Sequence, residues 1–313
     1  MQYQLPTFLT ALCSFLFITA SAQQQHQHQF TIVSENDSYI SVNLDGYYTN
    51  GIKLAYQWSL SSPARKKKER SHSFYAGQNI YTSQFSGEFF EERLDRPLTG
   101  YLYAGYQNSL YNAKEDLLRW GISAGVIGPP AQGAAVQKSA HKVMHIYKPT
   151  FWEYQLNEAW GANADLAWSP GLSKPGTTSK WEFKPLLSAT AGTLFTHAGV
   201  GGALIYGQFN KNSATAFWGN HKGSSKTDRE FFGYLMPMIY LKAYDATVQG
   251  GMFNTEPEKI EGRLNPVFFQ SKLGIAYAGN RLLLSATAIY ENKQSLTQRT
   301  PQYYGSIQVG WLW

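Results

Sequence analysis

From Gly51 onward the chain alternates strictly. Ile52, Leu54, Tyr56, Trp58 and Leu60 fall on one side, and Lys53, Ala55, Gln57 and Ser59 on the other. Residues 117–127 repeat the pattern, with Leu118, Trp120, Ile122, Ala124 and Val126 opposite Arg119, Gly121, Ser123 and Gly125. The final stretch YYGSIQVGWLW sets Tyr303, Ile307, Val309, Trp311 and Trp313 on one face. A period of two is the signature of a β-strand with two unlike faces. After residue 22 no apolar run approaches 18 residues, which excludes membrane helices. Aromatic residues make up 15% of the chain and charged residues only 15%, against about 25% charged in ordinary soluble domains. Mean hydropathy is still −0.35. Alternating lipid-facing and lumen-facing residues in a membrane β-barrel reconcile these values. A secreted β-sandwich also explains the alternation, but not Tyr and Trp on the outward faces.

The N-terminus MQYQLPTFLTALCSFLFITASA carries an apolar run over 7–20 and ends in Ala20-Ser21-Ala22. It reads as a signal peptide, residues 1–22, although no Lys or Arg precedes the run. Residues 23–313 are expected to form one outer-membrane barrel. Cys13 is the one cysteine of the sequence and lies in the signal. The mature chain then has no disulfide, no thiol nucleophile and no cysteine metal site.

Alternation and turn signals give twelve strands: 28–37, 48–60, 73–82, 99–109, 117–127, 154–168, 180–193, 196–209, 231–253, 266–278, 281–292 and 302–313. Bacterial single-chain barrels have even counts. The 231–253 segment is long enough to hide a hairpin, which leaves the count open by two. With both termini periplasmic, loops 38–47, 83–98, 128–153, 194–195, 254–265 and 293–301 face the cell exterior. The Gly279-Asn280 turn is then periplasmic, where short turns belong.

Three polar clusters fall at the outer rim. Glu35-Asn36-Asp37 closes strand one, and Thr49-Asn50-Gly51 opens strand two beside it. In loop 128–153, Ala134–Tyr147 has helical spacing. Val136, Ala140, Val143, Met144 and Tyr147 form an apolar face. Gln137, His141 and His145 share an adjoining stripe, and Lys138, Lys142 and Lys148 make the rest basic. Such a helix suits phosphorylated headgroups, as does the net charge of +6.

Read in order, Glu35-Asn36-Asp37, Tyr48-Thr49-Asn50-Gly51, Asp95-Arg96-Pro97, Gly125-Val126-Ile127-Gly128-Pro129, Val136-Gln137, His141 and Trp152-Glu153-Tyr154-Gln155-Leu156 resemble the outer-membrane lipid A 3′-O-deacylase family. The resemblance covers roughly residues 30–160; beyond that the chain matches only as barrel strands. It implies a twelve-stranded barrel that removes the 3′-linked acyloxyacyl chain of lipid A. It also implies calcium and a phospholipase A2-like mechanism. His141 resembles the general base, and a neutral imidazole of ordinary pKa ~6.5 suits that role. Asn36 and Asp37 resemble the strand-one pair, with Asp37 and nearby carbonyls as calcium ligands. Thr49 resembles the threonine beside the scissile ester, where the metal and a backbone N–H near Thr49–Gly51 would stabilise the oxyanion. Gln155, Gln137, Arg96 and Lys142 are expected to orient substrate or anchor loops. The implied partners are lipid A or lipopolysaccharide, other outer-membrane lipids and the barrel assembly machinery, which reads an aromatic C-terminal strand. Nucleic acid is not among them.

Two departures stand out. Tyr147 occupies the place where better-known members carry an acid after the histidine, and the next acid is Glu153. Tyr47 precedes the Tyr-Thr pair where an acid is common, with Asp45 two residues earlier.

Plainer readings exist for each residue. Asn36 and Asp37 suit a turn, and His141 suits a surface. His141 and His145 have zinc spacing, but Lys142 stands where HExxH requires Glu. Arg65–Lys68 reads as a solvated turn, and His26 and His28 as a flexible tail. Strand Tyr and Trp read as interfacial girdles. Gly199, Gly201 and Gly202 read as strand glycines. A Ser-His-Asp hydrolase is disfavoured: Gly121-Ile122-Ser123-Ala124-Gly125 spells G-x-S-x-G, but inside an alternating run and not at a strand-to-helix elbow. Besides the lipid A hydrolase, an outer-leaflet phospholipase or esterase fits the same clusters. So does a non-enzymatic barrel, which requires an open lumen and site residues pointing apart.

Overall fold

The computed structural model describes residues 28–40, 46–60, 69–84, 94–145, 148–172, 180–221, 229–260 and 262–313. The expected signal peptide, His26, Asp45, Arg65–Lys68 and Tyr147 lie outside the described residues. Twelve antiparallel strands close into one barrel, each paired with its sequence neighbours and β1 with β12. They are β1 His28–Asn36, β2 Tyr47–Leu60, β3 Glu69–Thr82, β4 Thr99–Tyr111, β5 Leu117–Ile127, β6 Ala159–Ser169, β7 Trp181–Gly192, β8 Phe195–Gln208, β9 Glu230–Asp245, β10 Val267–Ala278, β11 Leu282–Glu291 and β12 Gln302–Leu312. Among the described residues two α-helices interrupt the connections, α1 Gly133–Met144 and the single turn α2 Ala246–Gln249.

Each expected strand is present; β3 starts four residues earlier than expected, at Glu69, and β6 and β9 each move at one end for local reasons. β6 starts at Ala159 rather than 154, because Phe151 takes a left-handed conformation (φ 64°) and Trp152–Tyr154 wind into a 3-10 turn. β9 stops at Asp245 and hides no hairpin. Asp245 Oδ1 caps α2, accepting the Thr247 N–H at 3.0 Å and its hydroxyl at 2.7 Å. His28 is the first residue of β1 and not part of a tail. Its backbone pairs with Trp313, and its ring stacks on Tyr56 and Trp313.

The outward face is apolar and exposed at Ile52, Leu54, Leu102, Ile122, Leu235 and Leu273. Tyr56, Trp58, Phe74 and His72 stack beside one another near the His28 rim, as an interfacial girdle would. The lumen is packed at both ends. At the rim bearing α1, Tyr48, Tyr81, Tyr101 and Tyr304 join Leu156, Leu194 and Ile289 in a buried cluster. At the opposite rim, residues 209–221, which follow β8, fold back inside. Gln57 Nε2 donates to the Gly219 carbonyl at 2.7 Å, Ser59 Oγ to Asn220 Oδ1 at 2.9 Å and Arg119 Nη2 to the Trp218 carbonyl at 3.0 Å. A polar cavity of about 280 Å³ lies within the wall, lined in part by Lys53, Arg119 and Asp165. The packing at both ends does not match the open lumen that a pore requires.

Glu230 holds this inner segment. Its fully buried carboxylate accepts the Asn210 and Ala216 N–H groups at 2.7 Å and faces His221 Nδ1 at 2.8 Å. Replacing it with alanine leaves three buried polar groups unpaired. Glu230→Ala should cost about 3–5 kcal/mol, read as a lowered midpoint in urea unfolding of the detergent-solubilised barrel.

Candidate active site at the outer wall

The three residues of the Glu35-Asn36-Asp37 motif separate in space. Glu35 turns into the lumen, where its Oε2 accepts the Tyr48 hydroxyl at 2.5 Å. Asn36 ends β1 on the outward face, level with Asn50 and Gly305. Its Oδ1 accepts both the N–H of Ser38, at 2.8 Å, and the Ser38 hydroxyl, so it caps the 3-10 turn Asp37–Tyr39. Asp37 is buried at the rim and accepts the Gly46 N–H at 3.1 Å on Oδ2. The Asx-turn reading therefore accounts for part of what both side chains do.

Thr49 owes its position to a bulge. The β2–β3 register slips between Tyr48 and Asn50, so Thr49 is the extra residue. Tyr48 points inward, Asn50 and Ile52 point outward, and the slip lets Thr49 join the outward side. There its Oγ1 lies 2.7 Å from Thr82 Oγ1, and both threonines are buried.

A cross-strand row runs along this outer face: Gly305, Asn36, Asn50, Ile80, Gly100. Strand neighbours lie about 4.8 Å apart, so the row carries Asn36 directly toward α1. The helix sits on the row's end. A Cβ added at Gly133 would stand 2.9 Å from Gly100 Cα, and one at Gly100 would stand 2.9 Å from Gly133 N. Both positions need glycine for that approach. Ile80, Leu98 and Trp152 pack beneath, with Ala134 and Phe151 against them. Gln78 Nε2 donates to the Ala131 carbonyl at 2.6 Å. Trp152 Nε1 donates to Gln137 Oε1 at 2.8 Å, which fixes Gln137 against the wall.

The helix is turned the opposite way from a soluble amphipathic helix. Gly133, Gln137 and His141 are its buried residues, while Val136, Val143 and Met144 are exposed. A polar stripe is thus pressed onto the lipid side of a barrel wall. His145 caps the helix in a left-handed conformation (φ 57°) and is exposed, whereas His141 is buried. The two histidines do not form a zinc pair. Among the described residues no three His, Cys, Asp or Glu side chains gather as a metal site.

Sequence reading passed over Asn50 and Thr82, and over the two glycines that seat α1. Asn50 stood inside the quoted motif; Thr82 is found only through the register. Gly100→Val should push α1 off the wall, because the opposing atoms are backbone. Its expected signature is protease sensitivity near α1, with the barrel's heat-modifiable gel mobility unchanged.

The family model described as outer membrane protein LpxR matches residues 8–313. The chain belongs to the LpxR family. LpxR from Salmonella typhimurium superposes with a TM-score of 0.73 at 20% identity, covering 91% of this chain and 100% of that one. The β-domain of the Bordetella autotransporter BrkA gives a TM-score of 0.48 at 11% identity, covering 93% and 99% respectively. No curated protein matches the chain. At 20% identity the likeness to Salmonella LpxR speaks for the fold.

Within this LpxR-family barrel the remaining expected residues are spread out. Arg96 faces the lumen and not the outer row. Its guanidinium lies 4.4 Å from the Tyr81 ring centre, and Nη2 donates to Thr247 Oγ1 and Gln294 Oε1 at 3.0 Å each. Burial pushes its pKa down, and Asp245, Tyr81 and Glu291 oppose that shift. It is a loop anchor because the Tyr81 side of β3 points inward. Lys142 is exposed on α1. Gln155 is half-buried, and among the described residues its Oε1 has no hydrogen-bond partner. Tyr47, in the slot where the resemblance implies an acid, is buried with φ 64°, and its hydroxyl donates to Asp95 Oδ2 at 2.5 Å. Glu153 is exposed, with its carbonyl accepting Lys259 Nζ at 2.6 Å.

Proposed function

We propose that this LpxR-family protein is a lipid A 3′-O-deacylase-like ester hydrolase working on the lipid-facing wall of the barrel. The observation that carries the reading is the buried stripe of Gln137 and His141 on α1, held against the outer wall. Polar and ionisable residues held on the lipid side of a membrane protein mark functional sites. The substrate would reach this stripe sideways from the outer leaflet.

In this reaction His141 accepts a proton from water as that water's oxygen bonds to the acyl carbonyl carbon. The carbonyl oxygen becomes an oxyanion. The Thr49 hydroxyl and the Asn36 amide N–H donate to it, since Asn36 Oδ1 is already committed to Ser38. The tetrahedral species then expels the 3′-alkoxide, which takes the proton from His141. The products are the free acyloxyacyl acid and a 3′-hydroxyl. Gln137, fixed by Trp152, positions the helix that carries the base. Below Ile80 and Gly100 the wall holds a trough of about 980 Å³ containing the alanine row Ala76, Ala104, Ala124 and Ala162. An acyl chain hanging from the ester would follow it into the membrane.

Calcium takes about six to eight oxygen ligands. Beside Asn36 and Thr49 the described residues supply one buried carboxylate, Asp37, whose Oδ2 accepts the Gly46 N–H. That set does not make up a calcium site. Fatty acid release by purified protein, with EGTA and with added Ca²⁺, tests both points. Release unaffected by EGTA is expected from this donor set. Release that stops with EGTA and returns with Ca²⁺ would require ligands beyond these. No release from lipid A under either condition counts against the function itself.

Membership of an outer-membrane barrel family sets the compartment. We further propose that α1 and its rim face the cell exterior and that the His28–Trp313 rim is periplasmic. The short Gly279–Arg281 connection at that second rim supports this orientation. The aromatic end of β12, next to β1 at the closure, is the segment that assembly machinery would engage.

A further inference from the structure

The buried stripe uses only one side of α1. At about 100° per residue, Gly133, Gln137 and His141 span a sector of about 80°. Val136, Ala140 and Val143 lie to one side of it, while Met144 falls within the sector but ends the helix and is exposed. Lys138, Lys142 and His145 lie to the other. The apolar and basic flanks point about 160° apart. Both are exposed: Val143 at 77% and Val136 at 39%, with Ala140, both lysines and His145 open as well. The helix contains no Asp or Glu, and exposed Lys148 follows it.

A helix laid on a lipid-facing wall has one flank toward the hydrocarbon and one away from it. The wall around it is itself lipid-facing, with Ile52, Leu102 and Trp160 exposed. We propose that α1 is an interfacial helix built to receive an anionic, phosphorylated lipid of the outer leaflet. Its Val136–Ala140–Val143 flank seats among the acyl chains. Lys138 and Lys142 take the lipid's phosphate groups from the opposite flank. The proposal rests on the hydrolase reading of the His141 stripe and names what selects its substrate. Charge complementarity favours the phosphorylated lipid over a second copy of this chain, because the basic flank of one α1 would repel another. Apolar surface with Lys on the far side is the composition of helices that lie in the interface plane.

The test uses the full chain with Cys13 replaced by serine, carrying Val143→Cys or Lys138→Cys labelled with an environment-sensitive fluorophore. In vesicles of phosphatidylcholine with 20% (about one lipid in five) lipid A, the label at 143 should emit blue-shifted and be quenched by brominated acyl chains. The label at 138 should report water. A water-exposed label at 143, or one shielded only in a cross-linked dimer, would overturn the seating. Lys138→Gln with Lys142→Gln should weaken binding of bisphosphorylated lipid A about tenfold and leave its dephosphorylated form unchanged. Equal effects on both forms, or none, would overturn the phosphate assignment. Neither readout needs turnover. If both hold and the wild type releases no fatty acid, the hydrolase reading alone fails; release without them defeats this proposal alone.

Discussion

His141→Ala is expected to lower lipid A ester hydrolysis by about 10²–10⁴-fold, the usual contribution of a positioned general base. The barrel should stay folded. α1 is seated by the Gly100–Gly133 approach, by Gln78 on the Ala131 carbonyl and by Trp152 on Gln137. None of these uses the His141 ring. Unchanged heat-modifiable mobility with lost fatty acid release would separate chemistry from folding. Activity within a few-fold of wild type would remove His141 from the reaction.

Thr49→Val should cost about 10²–10³ in kcat, the scale for losing one oxyanion donor. Thr49→Ser should keep most of the rate, because the hydroxyl is what the reaction uses. The change also leaves Thr82 Oγ1 without its partner at 2.7 Å, so Thr82→Val is the necessary comparison. That variant loses the same hydrogen bond but retains the Thr49 hydroxyl, and its kcat should fall far less. Saturating lipid A in mixed micelles gives kcat directly. Equal losses for the two variants would mean that the threonine pair is structural.

The strands were legible because lipid on one side and lumen on the other force a period of two. Ile52 to Leu60 shows it plainly. What escaped the pattern was decided by single residues. One extra residue at Thr49 turns a side chain to the other face, and alternation cannot reveal where a register slips. The Asp245 cap ends β9 within a run that still reads as strand. After β8, Asn212–Ala214 and Ala216–Trp218 fold into the lumen as short 3-10 turns, which have no periodic signature. α1 was visible as an amphipathic helix with His141 and Gln137 on one stripe. Its seating depends on Gly100, a residue of a distant strand, and on a solvent that rewards exposed Val and Met. Arg96 was recognised as a loop anchor or orienting group; only the inward face of β3 at Tyr81 shows that it belongs to the lumen side.

The central claim is that the buried stripe on α1 hydrolyses an ester of lipid A. Mass spectrometry of lipid A from cells expressing the wild type and His141→Ala tests it most directly, with both proteins confirmed as folded barrels in the outer membrane. The account predicts loss of the 3′-acyloxyacyl mass in wild-type cells and intact lipid A with His141→Ala. Intact lipid A in both, or the same loss in both, would contradict it.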